Sequence, residues 1–209
     1  MKANSIVSPV ALMMLLCFGC CSSPVRHGAE ISYNDDYFPD KLKHTHATLK
    51  LGNMDLRAEL SLIKSDQTII IQAIKEGIVL DEEIYRVTTE GVWLLQIGEG
   101  EEFEPGITLL KYPMKIGDKF DWKGHLVYGN RKIKSDAVVT TRTETISLAT
   151  GSAEAVKSEV VLKIHDGSPT PAERKLDIWF VKGEGPVKRD FGNRIREPRT
   201  KTQTSNEEK

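Results

Sequence analysis

After residue 21 the sequence contains no cysteine, because all three cysteines of the 209-residue chain, Cys17, Cys20 and Cys21, lie at its start. The rest of the chain therefore cannot form a disulfide, bind a metal ion through thiolates or use a cysteine nucleophile. Cys20 and Cys21 alone supply too few ligands for a structural zinc site.

The chain also lacks an excess of charge of one sign. Its 29 Lys and Arg residues nearly balance 30 Asp and Glu residues, which leaves a formal net charge of −1. This balance argues against nucleic acid as the main partner. Beyond residue 19 no apolar run is long enough to cross a bilayer as a helix, which requires ~20 residues.

Catalytic motifs are missing as well. The sequence has no Gly-x-Ser-x-Gly motif, and Gly183-Glu184-Gly185 lacks the third glycine and the following helix of a phosphate-binding loop. His125 and His165 are predicted on outward faces of two strands, with no defensible triad partner. The serines that either histidine could in principle activate are Ser135, Ser147 and Ser158. The sequence thus predicts a protein that is not an enzyme and has no cofactor.

An apolar stretch at the N-terminus predicts an export signal over residues 1–19. Lys2 precedes a mainly apolar run, residues 6–19, which is too short for a comfortable membrane-spanning helix. The Gly19–Cys20 step resembles the cleavage point of bacterial lipoproteins, which implies that a lipid is attached to Cys20. Cys17 stands where that pattern usually has leucine. Secretion with cleavage nearby and an uncleaved anchor are the alternatives.

Alternating hydrophobicity dominates from about residue 44. In residues 56–64 the apolar side chains share one face and the charged ones the other, and turn residues recur every ~10 to 15 positions. The predicted strands lie near 45–51, 56–64, 68–75, 83–89, 92–97, 107–111, 119–128, 132–147, 153–165 and 173–182, with an eleventh at 186–191. A sheet of so many strands must curl or close. The predicted fold is therefore all-β, a curved antiparallel sheet that forms a β-roll or open barrel of about ten strands.

The flanking segments differ from this region in composition. Residues 20–43 are polar and are predicted to be a lipidated tether that packs only partly against the domain. The β-roll domain is predicted over residues 44–192. Residues 193–209 are rich in arginine and lysine and are predicted to be a disordered basic tail.

Three stretches of the second half resemble a family of envelope proteins. They are YPMKIGDKFDWKG (112–124), GSAEAVKSEVVL (151–162) and DIWFVKGEGPVKR (177–189). Over about residues 107–191 the chain is similar to the bacterial secreted proteins and lipoproteins grouped as domain-of-unknown-function 3108-like. The resemblance implies an antiparallel β-roll or open barrel in the cell envelope. The chain departs from the pattern at Ala153 and Glu184, and the pattern carries no catalytic residue.

Two further patterns contain metal-ligating residue types. His44 and His46 share a face of a predicted strand, and Asp35, Asp36 and Asp40 lie nearby in the sequence. The segment GEGEEFEPG (98–106) is an acidic loop without the ligand spacing of a calcium loop. Exposed histidines and a solvated hairpin tip explain these patterns more simply, so no metal site is predicted.

Aromatic residues provide the candidate ligand-binding residues. Trp122 belongs to the apolar face of its strand, whereas Trp179 alternates with Ile178 and Phe180, so that its strand is apolar on both faces. Such a strand is either covered on both sides or lines a cavity for an apolar ligand. Trp122, Trp179 and Phe180 are therefore the candidates.

These observations predict a non-enzymatic lipoprotein of the cell envelope that acts as a binding or assembly module. Its partners would be the membrane, through lipidated Cys20, and an envelope protein or an apolar ligand. The alternative is a periplasmic carrier of a lipid or other apolar ligand, because curved antiparallel sheets can enclose cavities. Cys21 and Ser22 follow the anchor. By resemblance to a sorting rule of some bacteria, this favours the outer membrane over the inner, facing the periplasm.

Overall fold

The computed structural model describes residues 30–31, 37–98 and 100–198, with residues 30 and 31 described by their backbone alone. The strands in this part of the chain are β1 (Glu30–Ile31), β2 (His46–Leu51), β3 (Met54–Ser65), β4 (Thr68–Lys75), β5 (Ile78–Thr88), β6 (Gly91–Ile97), β7 (Glu101–Lys111), β8 (Met114–Lys115), β9 (Lys119–Tyr128), β10 (Arg131–Leu148), β11 (Gly151–Ile164), β12 (Ala172–Val181), β13 (Gly185–Asp190) and β14 (Arg194–Pro198). These described residues include no helix of the length and apolar character that crossing a bilayer requires.

Twelve antiparallel strands close into one barrel. Their order is β10-β11-β12-β13-β14-β2-β3-β4-β5-β6-β7-β9, and β9 pairs in turn with β10. β1 and β8 form a separate two-stranded sheet. The predicted all-β antiparallel barrel is confirmed. The barrel is closed rather than open, because β14 pairs with both β13 and β2.

The last strand corrects the predicted C-terminal boundary. The sequence predicts a disordered tail from residue 193, but Arg194–Pro198 form β14. Arg196 is only 1% exposed, since its side chain points into the barrel, where buried carboxylates balance its charge. Residues 199–209 of the predicted tail lie outside the described residues, as do the predicted signal peptide and Cys20.

Local sequence explains the strands and their turns. In β4 the residues Ile69, Ile71 and Ala73 alternate inward, and β-branched residues favour the extended backbone. The following turn places Glu76 and Gly77 at φ of 53° and 79°. Two consecutive positive φ values are the geometry of a tight hairpin turn that matches the twist of the strands.

The alternating strand directions give the barrel two distinct ends. We call the end at which β2 begins and β12 passes into β13 the lower end, and the opposite end the upper end. The turns between β2 and β3, between β9 and β10 and between β13 and β14 lie at the upper end. The N-terminal segment 37–45 lies at the lower end, where the Thr45 carbonyl accepts a hydrogen bond from the Leu60 amide at 2.8 Å.

The main apolar core lies inside the barrel. It brings together inward-facing residues of most strands, and the Ser158 hydroxyl on β11 donates to the Leu109 carbonyl on β7 at 2.7 Å. These two strands are not neighbours in the sheet, so this hydrogen bond links two separate parts of the barrel wall across the interior. A second buried cluster includes Ile146, Leu148 and Trp179, where the end of the β10–β11 hairpin packs against β12 and β13.

Candidate functional site

The upper half of the barrel interior holds four buried charged side chains, which we call the arginine cluster: Asp81 and Glu83 on β5, Arg189 on β13 and Arg196 on β14. Arg196 donates two hydrogen bonds to Glu83, from Nε at 3.0 Å and from Nη2 at 2.9 Å. Its Nη1 donates a third hydrogen bond, to the Pro186 carbonyl at 2.9 Å. A paired and fully hydrogen-bonded cation of this kind is tolerated in a low-dielectric interior.

Arg189 is held less completely than Arg196. Its Nη2 donates to Asp81, and its Nε lies 2.5 Å from Glu83 Oε1 as an ion pair without hydrogen-bond geometry. Its guanidinium also lies over the Phe191 ring, 4.7 Å from the centroid. Nη1 has no hydrogen-bond partner among the described residues. The two buried carboxylates face the two buried guanidiniums, and Arg194 at the partly exposed edge lies 3.8 Å from Asp81 Oδ1.

Tyr85 completes the cluster on its lower side. Its hydroxyl donates to Glu83 Oε2 at 2.5 Å, and its ring packs against Phe38 at a centroid distance of 5.3 Å. Complete burial, together with the negative charge of Glu83, raises the pKa of Tyr85 well above its ordinary value of 10.0. The phenol is therefore neutral in the folded protein at all physiological pH values.

Both ends of the barrel interior are occupied. At the upper end Arg174 on β12 donates to Glu101 on β7 at 2.7 Å, and these strands are not sheet neighbours. At the lower end Tyr37 and Phe38, which precede the predicted start of the domain, are buried, and Phe38 packs 5.9 Å from Phe180. The N-terminal segment thus closes the end through which the chain enters the barrel.

The outer wall carries a set of polar side chains on β9, on β10 and at the end of β11, which we call the basic patch: Lys123, His125, Lys134, Asp136, Lys163 and His165, which directly follows β11. Strand register sets them in two adjacent rows. Lys123 and Lys163 flank Asp136 in one row. His125 is opposite Lys134 in the next row, and the His165 amide bonds to the Lys134 carbonyl at 2.9 Å.

A groove of about 460 Å³ runs over the basic patch. Five of the six patch residues line it, and Gly124 and Ser135 complete its lining. His165 Nε2 is hydrogen-bonded to Asp136 Oδ1, which fixes the orientation of the imidazole. The Ser135 hydroxyl donates to the Ile133 carbonyl at 3.2 Å, and the residue is buried on the inner face. The groove therefore combines lysine ammoniums with one oriented imidazole, and its buried serine is not hydrogen-bonded to either histidine.

Trp122 positions the patch from the inside of the wall. Its Nε1 donates to the Pro105 carbonyl at 2.9 Å, and its ring meets Phe103 edge-on at 6.3 Å. A Cβ on Gly124 would lie 2.5 Å from Trp122 Cζ2 and 2.4 Å from the Glu104 carbonyl oxygen. The glycine is therefore needed to let this indole lie flat beneath β9.

The three predicted ligand-binding aromatics are not brought together. Trp122 and Phe180 lie in the main core, but Trp179 belongs to the second cluster on the other face of β12. There the Lys157 and Lys188 ammonium groups lie 4.5 Å and 4.7 Å from the ring centroid. Lys157 also pairs with Asp177 at 2.7 Å.

The structure gives separate accounts of the two sequence patterns that contain metal-ligating residue types. His44 Nε2 bonds to Glu184 at 2.6 Å, whereas His46 is exposed and its Nδ1 lies 3.0 Å from the Thr45 hydroxyl. Most of the acidic segment 98–106 belongs to β7. Among the described residues, no three His, Cys, Asp or Glu side chains are placed so that they could hold a metal ion.

Sequence reasoning missed the arginine cluster. The available signal was the alternation itself, because Asp81, Glu83 and Tyr85 are spaced by two and so share one face of β5. Arg194 and Arg196 alternate in the same way on β14. The histidines of the basic patch were considered singly, and their grouping with three lysines depends on a register that spacing alone does not give.

No family model, curated protein sequence or solved structure matches this chain. The resemblance to the domain-of-unknown-function 3108-like proteins therefore stays a prediction.

Proposed function

We propose that this protein is a lipoprotein of the cell envelope whose barrel is a rigid, non-enzymatic binding or assembly module. The observation that carries the proposal is the filled interior: the arginine cluster occupies the upper half, and Phe38 with its aromatic neighbours occupies the lower half. A filled, closed barrel offers its outer wall and its turns to a partner. The basic patch, with the groove over it, is a candidate partner surface on that wall.

The described segment that follows the proposed anchor and the basic patch lie toward opposite ends of the barrel. Cys20 precedes the N-terminal segment 37–45, which packs at the lower end, while His165 and Lys134 lie near the upper ends of β11 and β10. A chain tethered through Cys20 to the outer membrane would hold its lower end next to the bilayer. The patch would then face the periplasm, within reach of an envelope partner.

The carrier alternative receives less support from the geometry. A carrier needs an apolar cavity, and the candidate aromatics Trp122 and Phe180 instead pack against Phe103 and Phe38. Trp179 is covered by two lysine side chains. Native mass spectrometry of the purified protein distinguishes these roles: the binding module is expected without co-purified lipid, and a stoichiometric lipid adduct would favour the carrier.

Lipidation is tested by growing a bacterial host that expresses the full-length chain with a clickable palmitate analogue. The wild type and Cys21→Ala, the matched neighbouring variant, are expected to carry the label and to fractionate with the outer membrane. Cys20→Ala is expected to lose both the label and the membrane association. Equal labelling of Cys20→Ala and wild type would contradict the proposed anchor.

A further inference from the structure

Two lysines of the basic patch line one groove, and none of its three lysines makes an ion pair among the described residues. Within the described residues Lys123, Lys134 and Lys163 make no ion pair, whereas other wall cations are neutralised, such as Lys132 by Glu104 at 2.6 Å and Lys50 by Glu197 at 2.8 Å. The one carboxylate of the patch, Asp136, is engaged by His165. Two further carboxylates border the patch: Glu104 is opposite His125 and is paired with Lys132, and Glu173 is opposite Lys163.

The patch has the dimensions of a small anion site. Neighbouring strands are ~4.8 Å apart and alternate residues along a strand ~7 Å apart, so the six side chains emerge from an area of about 10 Å by 7 Å. Their strands are continuously paired across this region, from Ser135↔Ile164 and Ser135↔Gly124 outward. A site on paired strands holds its groups in place more precisely than one on loops.

From this arrangement we infer that the groove over Lys123, Lys134 and His165 binds a phosphate group. Lysine ammoniums are point-charge donors that suit the several oxygens of a phosphate. Asp136 accepts from His165 Nε2, so His165 donates to a phosphate through Nδ1 only as the doubly protonated imidazolium. The inference names the ligand class of the proposed binding module and rests on that role.

The phosphate could belong to a soluble phosphorylated molecule or to a lipid headgroup. If the chain is anchored through Cys20, its own bilayer lies at the lower end, away from the patch. The position of the patch therefore favours a soluble ligand or one presented by another surface, and the two sources are separated by experiment.

The test uses the purified full-length protein and inorganic phosphate as the probe. The imidazole signals of His125 and His165 are followed by NMR, with exposed His46, which lies outside the patch, as the internal reference. We expect saturable shifts of His125 and His165 alone. The absence of saturable shifts, or equal shifts at His46, would overturn the inference.

Paired variants separate a site from general charge effects. Lys123→Ala/Lys134→Ala is expected to weaken phosphate binding about ten-fold or more, since two charge contacts are lost. Lys119→Ala/Lys175→Ala removes the same charge from exposed strand positions outside the patch and is expected to bind within about two-fold of wild type. Equal weakening in both variants would overturn the inference.

A vesicle arm identifies the source of the phosphate. The same proteins are sedimented with phosphatidylcholine vesicles containing phosphatidylglycerol, using Cys20→Ala so that no anchor contributes. Binding that Lys123→Ala/Lys134→Ala abolishes identifies a headgroup, and phosphate binding without vesicle binding identifies a soluble ligand. The palmitate experiment tests lipidation of Cys20 independently of phosphate binding. The proposed anchor and the proposed phosphate site can therefore be contradicted separately.

Discussion

Arg196, on the last strand of the barrel, holds Glu83 on β5 through two parallel contacts, Nε to Oε1 at 3.0 Å and Nη2 to Oε2 at 2.9 Å. The residues are 113 positions apart, and their strands are not sheet neighbours. The pair therefore joins opposite walls of the barrel across its interior, at a place where neither charge reaches water.

Breaking this pair is expected to be strongly destabilising. Glu83→Ala leaves Arg196 buried and uncompensated, and should lower the free energy of unfolding by about 3–5 kcal/mol. Urea denaturation followed by circular dichroism measures the loss. Glu82→Ala is the matched control, because Glu82 on the other face of β5 bonds to Gln72 at 2.7 Å and should cost only about 0.5–1.5 kcal/mol.

The double variant Glu83→Leu/Arg196→Met tests whether the cost comes from the unpaired charge. Removing both charges should cost clearly less than the sum of the two single variants, because no uncompensated ion is then buried. Additive losses would show that the two residues act independently, which the observed geometry contradicts.

Stability should fall at alkaline pH because of Tyr85. Burial raises the pKa of its phenol in the folded protein, so above about pH 10 the unfolded chain loses this proton while the folded chain keeps it. The ionisation of Tyr85 should therefore leave the free energy of unfolding unchanged at neutral pH and should decrease it as pH rises above about 10. Thermal unfolding between pH 8 and 11 measures the slope.

The variant Tyr85→Phe identifies the residue responsible. It should lose part of the alkaline decrease, although it also loses the hydrogen bond to Glu83 and so starts from a lower stability at pH 8. An unchanged alkaline slope in Tyr85→Phe would assign the decrease to other groups.

Gly124→Ala should be destabilising although the residue lies in a regular strand. The added methyl would meet Trp122 Cζ2 at 2.5 Å and the Glu104 carbonyl oxygen at 2.4 Å, so the indole must move. Overpacking of this kind costs about 1–3 kcal/mol. Gly129→Ala is a comparison at an open turn position with φ of 56°, where the cost comes from backbone strain and no neighbour is met.

The indole itself reports the displacement. In Gly124→Ala the tryptophan fluorescence should shift, because Trp122 Nε1 loses its hydrogen bond to the Pro105 carbonyl, and Gly129→Ala should leave the spectrum unchanged. An unperturbed spectrum and full stability in Gly124→Ala would show that the wall adapts at this point.

Phe38 should contribute to stability as a core residue even though it precedes the first barrel strand. Its ring contacts Tyr85 and Phe180, and Phe38→Ala should lower the free energy of unfolding by about 3–5 kcal/mol. Tyr128→Ala, at an aromatic residue that is 57% exposed, should stay within about 0.5 kcal/mol of wild type. Equal effects in chemical denaturation would place Phe38 outside the core.

The sequence predicted most of the barrel because alternation reports which strand face is buried. The predicted strands 68–75 and 119–128 have the bounds of β4 and β9: the first is rich in β-branched residues, and in the second apolar residues recur at every second position. The prediction from sequence failed at β14, where Arg194 and Arg196 face inward and Ile195 between them does not. The alternation is present in this segment, but a short segment rich in arginine resembles a disordered tail unless the distant carboxylate partner of the arginine is known.

The same limit applies to the candidate sites. Asp81 and Glu83 are separated from Arg189 and Arg196 by more than 100 residues, so no local pattern joins them. The basic patch depends on the register of β9, β10 and β11, which is set by inward-facing residues such as Trp122 rather than by the histidines themselves. Single-residue reasoning could name His125 and His165 but not the lysines that surround them.

The pairing of β14 with β2 has a consequence for how the barrel folds. The paired residues Leu51 and Arg194 are 143 positions apart in the sequence (194 − 51), and until they meet one seam is open and the edge of β2 has no partner. An unpaired edge strand recruits other chains, and contacts between distant segments form slowly. Completion of this barrel, and its protection from aggregation, therefore depends on the five residues of β14.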